Sequence, residues 1–132
     1  MYTVYIAGPM RGLPQSNFPA FDRAATILRE NEFEVYSPAE HDRQMGYDGE
    51  RWFDGSDTVS YEDQCEMISW DLATIIWACD AIVLLPGWEK SKGAAVEKAL
   101  ADFLGIDVLY FKDPDECPSD WLTAERAVSA SA

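Results

Sequence analysis

Two acids stand where acids cost stability. Glu97 lies four residues after Gly93 and three before Leu100, within a stretch whose Gly93, Val96, Leu100, Phe103 and Leu104 predict the inward face of a helix. A carboxylate on such a face must be paired or must open into a polar cleft. One reading is therefore a structural glutamate, the other a reactive one. Asp71 stands beside Leu72 at the edge of a second predicted apolar stripe, Cys65, Ile68, Leu72, Ile75 and Cys79. There it is either a solvent-facing acid or the partner of Glu97. Two carboxyls on neighbouring helices at one end of a sheet are the usual apparatus for breaking a glycosidic bond.

The one locally basic segment, Lys90-Ser91-Lys92-Gly93, immediately precedes the Glu97 helix. Free backbone N–H groups, the helix dipole, a hydroxyl and two ammonium groups favour a phosphate at that point. Arg11, in the Gly8-Pro9-Met10-Arg11-Gly12 loop, belongs to the same sheet edge if both loops follow parallel strands. The alternative is a pair of solvated lysines. His41 is the single histidine, in Glu40-His41-Asp42, and is either a turn residue or a substrate contact. With one histidine and no clustered cysteines, neither a metal nor another cofactor is expected.

These residues need a frame. Tyr2 to Ala7 reads as a strand and leads into the glycine loop; Ser16 or Asn17 caps a helix with Pro19 near its start, running to about Asn31. Phe33 to Tyr36 is a second strand, and Ala39 to Ser60 an aperiodic loop, either functional as a lid or pocket wall or a disordered insert. Ser60-Tyr61-Glu62-Asp63 resembles a capping box before the helix that carries Asp71. Ala81 to Leu85 and Asp107 to Phe111 are strands either side of the Glu97 helix, which ends at Gly105; a last helix is expected from Pro118 to about Val128. The alternation predicts an α/β protein, one domain over residues 1–128 with a frayed tail at 129–132.

The chain has 132 residues, with 10 Lys and Arg against 24 Asp and Glu and a net charge of −14. Such a field repels nucleic acid polymers and anionic membranes, so only a small anion held by local donors is expected. Cys65, Cys79 and Cys117 lack metal-ligand spacing and read as reduced thiols. No signal peptide or membrane span is evident, which predicts a cytoplasmic protein.

The residues also resemble a known superfamily. Tyr5-Ile6-Ala7-Gly8-Pro9-Met10-Arg11-Gly12, Asp71-Leu72, and Ser91-Lys92-Gly93-Ala94-Ala95-Val96-Glu97 are similar to the three signatures of the nucleoside 2-deoxyribosyltransferase superfamily. The similarity is closest to its 2′-deoxynucleoside 5′-monophosphate N-glycosidases and to small phage-type deoxyribosyltransferase-like proteins. It covers roughly residues 3 to 112. The resemblance implies a flavodoxin-like three-layer sandwich with a central parallel sheet, and a homodimer or larger homo-oligomer. It implies Glu97 as the nucleophile at C1′, Asp71 as the acid near the departing base and Tyr5 as the group orienting Glu97. Gly8, Arg11, Ser91 and Gly93 correspond to positions around the 5′-phosphate. Ser91 stands where transferases acting on free nucleosides carry an aspartate, which favours a monophosphate; Pro9 departs from the serine usual in the hydrolases. The expected activity is release of free base from a deoxynucleoside monophosphate. The alternatives are base exchange on deoxynucleosides and nucleotide binding without catalysis.

Overall fold

A computed structural model describes residues 1–47 and 60–125. Strands β1 (Thr3–Ala7), β2 (Glu34–Tyr36), β3 (Ala81–Leu84), β4 (Asp107–Phe111) and β5 (Leu122–Ala124) form one sheet in the order β2-β1-β3-β4-β5. The first four are parallel, and β5 runs antiparallel to β4. The helices are α1 (Phe18–Glu30), α2 (Pro38–Gln44), α3 (Tyr61–Ala78) and α4 (Lys92–Leu104). The result is a three-layer α/β sandwich of flavodoxin-like strand order.

Strand alternation sorts the two cores. Val4, Ile6 and Val83 point to one face, where Phe18, Phe21, Ala25 and Leu28 of α1 cover them. Tyr5, Ala7, Ile82 and Leu84 point to the other, against Ile75 of α3 and Ala94 and Ala101 of α4. β1 and β3 are buried on both sides, which explains their unbroken apolar sequence.

Several expectations change. The segment expected to be loop after β2 begins as α2: Ser37 precedes Pro38 at the first helical position, a favoured helix start. Its remainder, residues 48–59, lies outside the described residues. No helix starts at Pro118. The chain instead forms β5, whose Leu122 pairs with Phe111, and residues 126–132 are outside the described residues. The α3 stripe is also buried only in part. Ile75 is fully buried, whereas Cys65 and Ile68 are exposed. Met67, Trp70, Asp71 and Thr74 are half-buried, as are Leu72 and Cys79 of the predicted stripe. On α4 the buried residues are Ala94, Glu97 and Ala101, while Val96 and Phe103 are exposed. Small side chains let α4 approach the sheet closely, and the large ones face out.

Candidate active site

In an open α/β sheet the ligand crevice forms at the carboxyl edge, where crossovers leave in opposite directions. Here that point lies between β1 and β3. The loops leaving the two strands are packed tightly together. A Cβ on Gly8 would lie 2.9 Å from Leu85 Cβ, so only glycine fits. Gly87 has φ +88° and approaches Pro9, again a glycine position. The β1 loop is also pinned from the far side. Gln15, Ser16 and Asn17 take φ values of 55°, 53° and 61°, a rare left-handed run. Asn17 does not cap α1 with its side chain; its Nδ2 donates to Pro9 O at 2.9 Å.

Below this edge, Tyr5 reaches from β1 toward α3 and α4. Its fully buried hydroxyl donates to Glu97 Oε2 at 2.7 Å. The Asp71 carboxyl of α3 also acts on this hydroxyl. Burial and then the charges of Glu97 and Asp71 hold the phenol well above its ordinary value, so it stays protonated. Burial pushes Glu97 up to about 8, helped by the charge of Asp71 and opposed by the Tyr5 hydrogen bond. Burial likewise raises Asp71 to about 7 against the same hydroxyl. Both carboxyls are therefore raised. Glu97 is in the second turn of α4, beyond the reach of the helix dipole.

A phenol has one hydrogen to give. While Tyr5 donates to Glu97, that hydrogen is not available to Asp71. Near neutral pH the two raised carboxyls can hold one proton between them, with Tyr5 donating to a charged one. That combination is an acid beside a nucleophile.

Ser91 caps α4, its Oγ accepting from Ala94 N at 3.2 Å. The cap uses a lone pair and leaves the O–H free to donate to a ligand. A Cβ on Gly93 would meet nothing nearer than Ser91 Oγ at 4.0 Å, so the space over this helix end is open. Arg11 is exposed on the β1 loop. Among the described residues Arg11, Lys90, Lys92 and Lys112 make no ion pair, and all four follow the carboxyl ends of β1, β3 or β4. The remaining described cations are paired: Arg23 with Asp113, Arg29 with Glu40, Arg43 with Asp22 and Lys98 with Asp102. Among the described residues the unpaired Lys and Arg charge is thus gathered at one edge.

His41 of α2 stacks on Trp70 of α3, centroids 3.9 Å apart and planes within 3°. Burial lowers its pKa, with Glu66 opposing. Trp70 in turn lies 6.4 Å from the Tyr5 ring. Sequence reading missed Asp42, a carboxyl only 3% exposed. Its helical context was unrecognised, and its position next to His41 was the available signal. A separate cleft of about 340 Å³, lined by Asp102, Gly105, Asp107 and Glu125, opens at the opposite edge and holds none of these residues.

Fold and site together define a doubly wound α/β protein with a buried phenol–carboxyl pair, and a second carboxyl acting on it, at its topological switch point. The chain belongs to the family described as Domain of unknown function (DUF4406), whose model matches residues 2–110. No curated protein matches it significantly. Among the described residues no helix is long and apolar enough to cross a membrane.

Proposed function

We propose that this protein cleaves the N-glycosidic bond of 2′-deoxynucleoside 5′-monophosphates, giving free base and 2-deoxyribose 5-phosphate. The observation that carries the reading is the Tyr5 hydroxyl bonded to the buried Glu97 carboxyl, with the half-buried Asp71 carboxyl acting on both. Glu97 Oε attacks C1′ as the C1′–N bond breaks, and Asp71 gives its proton to the departing base. Water then adds at C1′ of the ester and yields a proton to Asp71, releasing Glu97 as carboxylate. Ser91, the open space over Gly93, and the unpaired Arg11 support a phosphate at the rim. Gly8 contributes by letting the two loops close on each other. The His41–Trp70 stack offers a flat wall for a base. The three free thiols suit a reducing compartment such as the cytoplasm.

The functional unit in this reading is a homo-oligomer. Trp77 and Phe103 are 85% and 86% exposed, with Ile68, Ile76 and Val96 also exposed on α3 and α4. From Met67 to Cys79 the only charged residue is the half-buried Asp71, which is exceptional in a chain of net charge −14. An uncharged apolar face is what two copies of so acidic a protein can bring together without repulsion.

Chromatography of bases released from deoxynucleoside monophosphates and deoxynucleosides, with and without a second base, tests the activity. Release from monophosphates without an acceptor is expected. Release only with an acceptor would make the protein a transferase, and no release despite nucleotide binding would make it a binding module.

A further inference from the structure

Asn17 immediately precedes α1, where an asparagine side chain ordinarily accepts from the free N–H groups of the helix. It makes no such cap. Its backbone is left-handed, and so are those of Gln15 and Ser16 before it. Three such residues in succession cost stability, so other contacts must hold them in place. Ser16 is fully buried and its N–H donates to Leu13 O at 2.9 Å, which anchors the segment. What the segment delivers is the Asn17 amide, whose Nδ2 donates to Pro9 O at 2.9 Å.

That bond sets the direction of the donors in the β1 loop. Leu13 N–H donates to Met10 O at 3.3 Å, so two successive carbonyls, those of Pro9 and Met10, are taken by residues 13–17. Both peptide bonds are trans, and across a trans peptide the N–H points opposite to the C=O. The N–H groups of Met10 and Arg11 therefore leave on the side away from that segment. Among the described residues neither has an acceptor. Successive free N–H groups of this kind suit an anion, and Arg11 is itself an unpaired cation. Pro9 is braced from the β3 loop as well, since a Cβ on Gly87 would come within 3.3 Å of its Cγ.

We propose that Asn17 is a positioning residue of this site: by holding the Pro9 carbonyl it aims the Met10 and Arg11 N–H groups as donors to the substrate's phosphate. The inference rests on the glycosidase reading for the identity of the anion. The left-handed run persists because it returns the Asn17 side chain to the β1 loop instead of to the helix that follows.

The test is ¹⁵N NMR titration of the free protein with inorganic phosphate, alongside kcat and KM for base release. In the native protein the Met10 and Arg11 amide signals should move as phosphate is added. Asn17→Gly relieves the left-handed backbone, costs the helix start little and adds no charge, so Tm should hold. Its Kd for phosphate should nevertheless be about tenfold weaker, because the donors are no longer aimed. KM for the monophosphate should rise by about as much, with kcat within about threefold. Asn17→Asp keeps the shape and the ability to cap but has no N–H for Pro9, and should lose phosphate at least as severely. A residue serving only the backbone or α1 would be replaced by glycine without loss of phosphate. A native Kd in folded Asn17→Gly would therefore overturn the proposal, as would Met10 and Arg11 signals that phosphate leaves in place in the native protein. If Asn17→Gly does not fold, the Kd of Asn17→Asp decides in the same way. Absence of base release from the native protein would end the glycosidase reading alone, because the phosphate titration needs no turnover.

Discussion

The Tyr5 hydroxyl and Glu97 Oε2 meet at 2.7 Å across 92 residues of sequence, joining the central strand to the helix after β3. Tyr5 thereby does two things at once. It stabilises the charged form of Glu97, and it also holds the Asp71 carboxyl down against burial.

Removing that hydroxyl should therefore hurt chemistry more than binding. Tyr5→Phe keeps the ring in the core and should lower kcat about 100-fold with little change in KM. The Tyr5 hydrogen bond holds both carboxyls down, so its loss raises them. The limb of the pH–rate profile that reports ionisation of Glu97 should accordingly move to higher pH. An unshifted limb would refute the role given to Tyr5.

The raised acids also make stability depend on pH in a stated direction. Glu97, Asp71 and Asp42 are all raised, to about 8, 7 and 7. The folded state thus binds more protons than the unfolded one between about pH 4 and those values. Their contribution is fully present below about pH 4 and is lost as pH rises through 7 to 8. Glu97→Gln should flatten this fall and raise Tm at pH 8–9 by about 5 °C or more, measured by calorimetry. An equal pH dependence in both proteins would contradict it.

Two glycines should respond oppositely. Gly8→Ala forces a methyl to 2.9 Å from Leu85 Cβ and should cost about 1–3 kcal/mol, seen as a lower Tm. Gly93→Ala has room on the protein side, so Tm should hold. The methyl would instead enter the proposed phosphate space and raise KM for a monophosphate about tenfold or more. A normal KM in Gly93→Ala would remove the phosphate from that helix end.

Arg11→Ala should raise KM for the monophosphate and leave KM for the free nucleoside nearly unchanged. The monophosphate KM should also rise with salt in the native protein and less so in the variant. Equal losses on both substrates would place Arg11 elsewhere in the mechanism.

Trp77→Asp with Phe103→Asp puts charges at the centre of the exposed α3–α4 face. Sedimentation should show an oligomer for the native protein and a monomer for the double variant. A native monomer would dismiss the assembly.

Much of this was legible in the residues because it is local. Glu97 is conspicuous as an acid amid apolar neighbours, Gly105 marks the end of α4, and the β1 and β3 runs are apolar because both faces are covered. The helix faces were harder. Large apolar residues such as Val96 and Phe103 point outward and alanines point inward, the reverse of what side-chain size suggests. Asp71, at the predicted stripe boundary, is half-buried. Asp42 could not be found without α2, whose start rests on a Ser-Pro step that equally ends a strand. β5 is a short strand held by pairing with β4, a non-local cause that no window of sequence contains.

The central claim is that Glu97 forms a bond to C1′. Intact-protein mass spectrometry after acid quench during turnover of a deoxynucleoside monophosphate tests it directly. The account predicts a 2-deoxyribosyl phosphate adduct, mapped by peptide analysis to Glu97 and absent in Glu97→Gln. Base release at the native rate from Glu97→Gln, with no adduct on either protein, would contradict it.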